Sequence, residues 1–209
     1  PANSAVTLGA LDQATGIIVN GTGFSLDTGR LDFTASKDAD FLQANDPTVA
    51  VFRELAASIT ATGEDLDVAV NVTNLDLVGI STKSGDVSIR VDNGSIGVLS
   101  SVTAGSVASP YQNVTLNASL GGIVGNGVIR GNIATLTANS SSSIATNVES
   151  VIVNVTGESQ SFSVTESKNL NLSYAKGQNI TTNGGDISVK ITSGDLTGNG
   201  LIHANGSTA

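Results

Sequence analysis

The stretch Gly85-Asp86-Val87-Ser88-Ile89-Arg90-Val91-Asp92-Asn93-Gly94-Ser95-Ile96 returns one hundred positions later as Gly185-Asp186-Ile187-Ser188-Val189-Lys190-Ile191-Thr192-Ser193-Gly194-Asp195-Leu196. Nearly every position keeps its class. Gly-Asp opens the unit, β-branched residues occupy every second place, a polar turn with Gly follows, and an aliphatic residue closes it. A chain that writes one strand-turn-strand unit twice is expected to stack copies of a module, and internal repetition decides architecture before any other signal. The repeat argues for an extended scaffold rather than an enzyme.

The apolar residues available agree with that. The chain has five Phe, two Tyr and no Trp in 209 residues. Val, Ile, Leu and Ala must therefore fill the core, which suits a narrow interior of stacked aliphatic side chains. Hydrophobic residues make up 39% of the chain, well above the disordered regime, so a folded protein is expected. A net charge of −9 with only nine scattered basic residues disfavours nucleic acid and anionic membrane surfaces as partners. No Cys is present, which excludes a disulfide framework and thiolate chemistry. Met is absent even at position 1, so the chain is expected to begin after processing or to be a piece of something longer. No apolar run approaches the roughly 20 residues of a membrane-spanning helix.

Period-2 alternation dominates from residue 66 onward. Leu66, Val68, Val70 and Val72 fall on one face of an extended chain, as do Val87, Ile89 and Val91, then Val114 and Leu116. Val151, Val153 and Val155 repeat the pattern, followed by Phe162 and Val164, and by Ile187, Val189 and Ile191. Turn signals separate these runs, among them Asp92-Asn93-Gly94, Gly125-Asn126-Gly127 and Asn183-Gly184-Gly185. The chain reads as all-β. Its strongest strands begin roughly 16 to 27 residues apart, the interval of one coil of a parallel β-solenoid. Eight to ten coils at about 4.8 Å each would make a rod of roughly 40–50 Å. The alternative is a β-sandwich, whose strands come about every 8–12 residues. A match at a hundred-residue offset favours the solenoid. The organisation expected is an N-terminal β segment over residues 1–62 and solenoid repeats over 63–209.

One segment departs from alternation. Asp46 and Pro47 form a good helix start, and Val51, Phe52, Leu55 and Ile59 share one helical face. This predicts a single short helix near residues 47–59, against the alternative of another aliphatic strand with an insertion.

Little catalytic chemistry is encoded. The only histidine, His203, sits in a Gly-Asn turn context and reads as a solvated turn residue. One His without Cys makes neither a zinc site nor a nucleophile pair. The acidic clusters Asp38/Asp40 and Glu64/Asp65/Asp67 fall short of an Asp-x-Asp-x-Asp-Gly loop, leaving an incidental calcium site as the only cofactor reading. No catalytic, cofactor-binding or metal residue is assigned. Sequons are more informative. Asn20, Asn71, Asn93, Asn113, Asn117, Asn139, Asn154, Asn171, Asn179 and Asn205 each precede x-Ser/Thr with no Pro between. With 19 Asn and 48 Ser plus Thr in 209 residues, chance supplies about four or five, so ten is about twice that. Either strand alternation produces them as a by-product, or several carry N-glycans on an outward face.

The run from Ser143-Ile144-Ala145-Thr146 through Val151-Ile152-Val153-Asn154-Val155, Phe162-Ser163-Val164 and Asn169-Leu170-Asn171-Leu172 ends in Gly184-Gly185-Asp186-Ile187-Ser188-Val189-Lys190-Ile191-Thr192-Ser193-Gly194-Asp195-Leu196-Thr197-Gly198. It resembles the coils of filamentous-haemagglutinin-like exoproteins, the large bacterial adhesins of two-partner secretion. The resemblance spans about residues 63–209 and is weak over 1–62. It implies a right-handed parallel β-helix, an extracellular or cell-surface location and an adhesive or fibrous role, with no shared catalytic residues.

The function expected is a non-enzymatic extracellular structural or adhesive surface protein, contacting other surface or matrix molecules. The alternative is a self-assembling, N-glycosylated subunit of a filament or surface layer, whose open strand edges pair between copies. A polysaccharide-processing β-helix enzyme is disfavoured because the basic residues are dispersed.

Overall fold

The computed structural model describes residues 4–9, 17–21, 28–35, 39–43, 52–61, 66–70, 72–106, 111–172 and 178–205, with side chains within 74–106, 111–172 and 179–205. The described residues are all-β and contain no helix. The first seven strands are β1 (Ser4–Gly9), β2 (Ile17–Gly21), β3 (Thr28–Ala35), β4 (Ala39–Gln43), β5 (Phe52–Ala61), β6 (Leu66–Val70) and β7 (Val72–Thr82). They are followed by β8 (Val87–Val91), β9 (Ser95–Val98), β10 (Val102–Thr103), β11 (Val114–Ala118), β12 (Ile123–Arg130), β13 (Ile133–Ala138) and β14 (Ser142–Asn147). The last are β15 (Ser150–Glu158), β16 (Phe162–Glu166), β17 (Leu170–Asn171), β18 (Gln178–Asn183), β19 (Ile187–Ile191), β20 (Leu196–Thr197) and β21 (Leu201–Ala204).

These strands sort into two long sheets. The first runs β1-β3-β5-β7-β10-β12-β14-β16-β19, with β9 paired beside that path to β7 and β12. The second runs β2-β4-β6-β8-β11-β13-β15-β18-β21, and β17 pairs β20 in a small third sheet. Among the described residues every pairing is parallel, from Ser4 opposite Gly29 to Ile180 opposite Ile202. Parallel neighbours cannot be joined by a hairpin and need a long crossover. Here the crossover out of one sheet passes through the other, so the chain returns one ladder step further on. A step takes from 17 residues (Ala134 to Val151) to 27 (Val87 to Val114). The antiparallel pairing expected of a sandwich does not occur among the described residues.

The helix predicted near 47–59 is not formed. Residues 47–51 lie outside the described residues, and Phe52–Ala61 is strand β5, in register with β3 on one side and β7 on the other. The reason is a competition between periods. Leu55, Ile59 and Phe52 fit a helical face, but Leu55, Ala57 and Ile59 also alternate, opposite Leu75, Leu77 and Ile80. Residues 54–61 are paired to β3 on one side and to β7 on the other, and such tertiary pairing outweighs a local N-cap signal of about 1 kcal/mol.

Register lines the alternating positions into rows along the sheets. In the second sheet Ile89, Leu116, Leu136, Val153 and Ile180 form one row, and Val91, Ala118, Ala138, Val155 and Thr182 another. In the first sheet Leu75, Ile96 and Ile123 line up, as do Ile80, Val102 and Ile129. All the aliphatic members are buried, and the rows of both sheets meet in one continuous cluster with Phe162 as its aromatic member. Each fully buried aliphatic side chain contributes roughly 1.5–3 kcal/mol, which explains how a core nearly devoid of aromatic rings holds.

The two copies of the opening repeat do not occupy equivalent places. β8 belongs to the second sheet and β19 to the first. What they share is the corner ahead of the strand: Thr82 donates its hydroxyl to the Gly85 carbonyl, and Thr182 to the Gly185 carbonyl, with both threonines buried. One corner therefore serves for passage in either direction between the sheets.

A second local device sits in β12, whose register against β14 shifts between Val124 and Val128. Gly125 has φ of +143°, and a Cβ there would fall on the Val98 carbonyl of the strand beneath. Gly125→Ala combines backbone strain with overpacking and is expected to cost about 2–4 kcal/mol, read as a lowered urea midpoint. A loss below about 0.5 kcal/mol would show that the bulge relaxes freely.

Candidate functional site

Side chains at the strand ends hold one ladder step to the next. The Asp86 carboxylate accepts from the Asn113 amide at 2.8 Å, one step along the second sheet. Hydroxyls act similarly: Ser142 Oγ accepts from Ile123 N at 2.9 Å, Ser141 Oγ from Ser161 N at 3.0 Å, and Ser161 Oγ from Asp186 N at 3.1 Å. A small acceptor placed just ahead of a strand satisfies an amide that the ladder leaves over. This explains why Ser, Asp and Asn crowd the segments between aliphatic runs.

The most developed polar site was not expected from the sequence. Glu166 ends β16 in the row that holds Ile80, Val102 and Ile129, and it is 0% exposed. Its Oε1 accepts from Ser167 N at 2.7 Å and Lys168 N at 3.0 Å. Its Oε2 accepts from Thr146 Oγ1 at 2.9 Å and Val148 N at 3.2 Å. A buried carboxylate persists only when its lone pairs are filled this way. Four donors from two successive steps converge on it, so the group acts as a corner clasp. The signal was present as a Glu at inward parity after Phe162 and Val164. Nearby, Lys168 Nζ pairs with Glu149 Oε1 at 2.9 Å and lies 6.0 Å from the centre of the Tyr111 ring.

The outward rows carry the surface chemistry. Arg90, Asn117, Thr137, Asn154, Thr181 and His203 stand in register along the second sheet. Amide and hydroxyl groups link across it: Thr181 Oγ1 donates to Asn154 Oδ1 at 3.2 Å, and at the strand ends Thr156 Oγ1 donates to Asn139 Oδ1 at 3.1 Å. On the first sheet a shallow open groove of about 420 Å³ is lined by Val124, Phe162, Asp186 and serines including Ser143, Ser163 and Ser188. His203 lies on strand β21 rather than in a turn, and it is exposed as expected. The register with Thr181 extends the ladder through it, which turn residues nearby in sequence did not reveal.

Sequon asparagines divide by place. Asn93, Asn154, Asn171 and Asn205 are exposed, and Asn113, Asn117 and Asn139 are half-buried. Asn20 lies in β2 and Asn71 next to β6, with both side chains outside the described residues. Asn179 is 0% exposed, and a glycan there is incompatible with this packing. β18 is irregular between Gln178 and Ile180, which moves Asn179 off the outward parity, and Gly200 packs against its Oδ1. Of the acidic clusters read for calcium, Asp40 lies in β4 and Asp67 in β6, while Asp38, Glu64 and Asp65 lie outside the described residues. Among the described residues no three His, Asp or Glu side chains converge, and no helix is long and apolar enough to cross a membrane. Set beside known proteins, the chain finds no match: no family model, no curated protein and no solved structure is similar to it.

Proposed function

We propose that the chain is a right-handed parallel β-solenoid serving as a non-enzymatic structural or adhesive element at an extracellular surface. The observation carrying this reading is the alternation of strands between two parallel sheets that share one aliphatic core. A crossover between parallel strands is right-handed in nearly all proteins, which supplies the hand. Nine strands along each main path give a rod of about 40 Å at roughly 4.8 Å per step. The likeness of the repeats to filamentous-haemagglutinin-like coils supports a surface role. So do outer rows that carry Asn, Ser and Thr, which offer many weak polar contacts. The exposed sequons Asn93, Asn154, Asn171 and Asn205 are the candidates for N-glycans on such a surface.

Two measurements test the reading. Small-angle scattering of the purified chain is expected to give an elongated particle of roughly this length, whereas a spherical one would refute the solenoid. Beads coated with the chain are expected to bind matrix or surface polysaccharides saturably and without turnover. Cleavage of an acidic polysaccharide by the chain would refute the non-enzymatic role.

A further inference from the structure

Asn stands directly before Gly at Asn20, Asn93, Asn126, Asn183, Asn199 and Asn205. The side chain of Asn20 and all of Gly206 lie outside the described residues, which leaves four pairs to compare. Gly has no Cβ to shield its amide nitrogen, so in each pair that nitrogen can reach the side chain ahead of it. The structure separates the four. Asn183 donates through Nδ2 to the Thr156 carbonyl at 3.1 Å and stands opposite Glu158 in the ladder. Asn93 and Asn199 each have a partner. Asn126 is exposed, and its side chain makes no hydrogen bond among the described residues.

The backbone at Asn126 also stands outside the ladder. Val124 pairs with Ser143 and Val128 with Ala145, so Gly125, Asn126 and Gly127 face Ile144 alone. On the other side the register with β9 ends at Val124, and the register with β10 begins at Ile129. Residues 125–127 therefore have no register partner in either neighbouring strand. Gly is nevertheless required after Asn126, because a Cβ at 127 would fall on the Ser100 carbonyl. Packing thus fixes the Asn-Gly pair in place, and the bulge holds its peptide out of the regular pairing.

We propose that Asn126 is a self-modification site, where the side-chain amide is exchanged for a carboxylate with water as the only co-reactant. The Gly127 nitrogen attacks Cγ of Asn126, and the new N–Cγ bond closes a cyclic imide. The Cγ–Nδ2 bond breaks, and the amide proton of Gly127 departs with Nδ2 as ammonia. Water then opens the ring at either carbonyl. Opening at Cγ restores the normal main chain with aspartate in place of asparagine. Opening at the backbone carbonyl gives isoaspartate, whose main chain runs through the side-chain carbons and is one carbon longer. A segment without register partners takes up that carbon, whereas the same change at Asn183 would break its pairing with Glu158. Either product adds one negative charge to a chain whose formal charge is −9.

The test is peptide mapping of the purified 209-residue chain, aged at mildly alkaline pH and sampled over time. Conversion at Asn126 is expected to run about tenfold faster than at Asn93, Asn183 or Asn199, the factor that one retained hydrogen bond adds to a barrier. Both aspartate and isoaspartate are expected at position 126. In the urea-unfolded chain the bulge and the side-chain partners are gone, and the four rates are expected to fall within about twofold of one another. Asn126→Gln, whose longer side chain closes the ring poorly, is expected to form no isoaspartate at this position and to leave the other three rates unchanged. Asn126→Ser, which has no amide, replaces it if that variant fails to fold. Chains converted at Asn126 are expected to keep the far-ultraviolet spectrum of fresh protein. An Asn126 rate no faster than the other three in the folded chain would overturn the assignment. So would a rate ratio that survives unfolding, or a spectrum lost in step with conversion.

Discussion

Glu166→Ala is expected to lower unfolding free energy by about 3–5 kcal/mol, because it strands buried donors rather than merely deleting contacts. The Val148, Ser167 and Lys168 amides all point at the carboxylate. Ser167 N also reaches the Thr146 carbonyl at 3.1 Å, so the Val148 and Lys168 amides are the donors that lose most. Only the Thr146 hydroxyl can rotate away to find a new partner. Glu166→Leu should fare little better. It restores the aliphatic row but leaves the same amides unfilled. Glu166→Gln keeps the shape yet turns an NH₂ group toward donors on one side, with an expected loss of roughly 2–4 kcal/mol. The neighbouring Glu149→Gln is the control. That pair is largely solvated, with the Glu149 side chain 65% exposed, and its loss should cost no more than about 1 kcal/mol. Urea unfolding of the four variants decides the matter. A Glu166→Ala loss under 1 kcal/mol would mean that the corner reorganises and that the clasp is incidental.

Phe162→Ala is expected to cost about 3–5 kcal/mol, the other large effect. Phe162 lies one ladder step from Ser142 below and Ile187 above, and it is the largest fully buried side chain among the described residues. Rigid backbone ladders surround it on both sides, so the cavity left by the ring cannot collapse easily. Phe162→Leu retains most of the volume and should cost about 1–1.5 kcal/mol. The same urea titration reads both. Similar losses for Ala and Leu would show that aromatic shape, rather than volume, matters at this position.

Glu166 also shows where reading the chain as a string fell short. Its inward parity is visible from Phe162 and Val164, but parity alone predicts an aliphatic residue or an error. The donors that make a carboxylate acceptable come from Thr146 and Val148, a full step earlier, and from the turn that follows. Likewise Asn179 looks like any other sequon until the irregular register of β18 and the approach of Gly200 bury it. The segment from Phe52 to Ala61 satisfies two periods at once, and only its neighbours β3 and β7 choose between them.

The sequence by itself determined the all-β class, the short strands and the aliphatic nature of the core. Those properties depend on period-2 alternation and on Gly, Asn and Asp at turns, which act within a few residues. It also marked the repeated Gly-Asp units at 85–86 and 185–186, whereas the Thr82 and Thr182 hydroxyls that tie each corner were found in the structure. The tertiary structure alone decided which sheet each copy of the repeat joins, because the same local corner turns the chain equally well in both directions. It alone decided that residues 52–61 pair as a strand and that Glu166 is clasped. Each of these depends on partners 17 to 27 residues away, which alternation permits but does not specify.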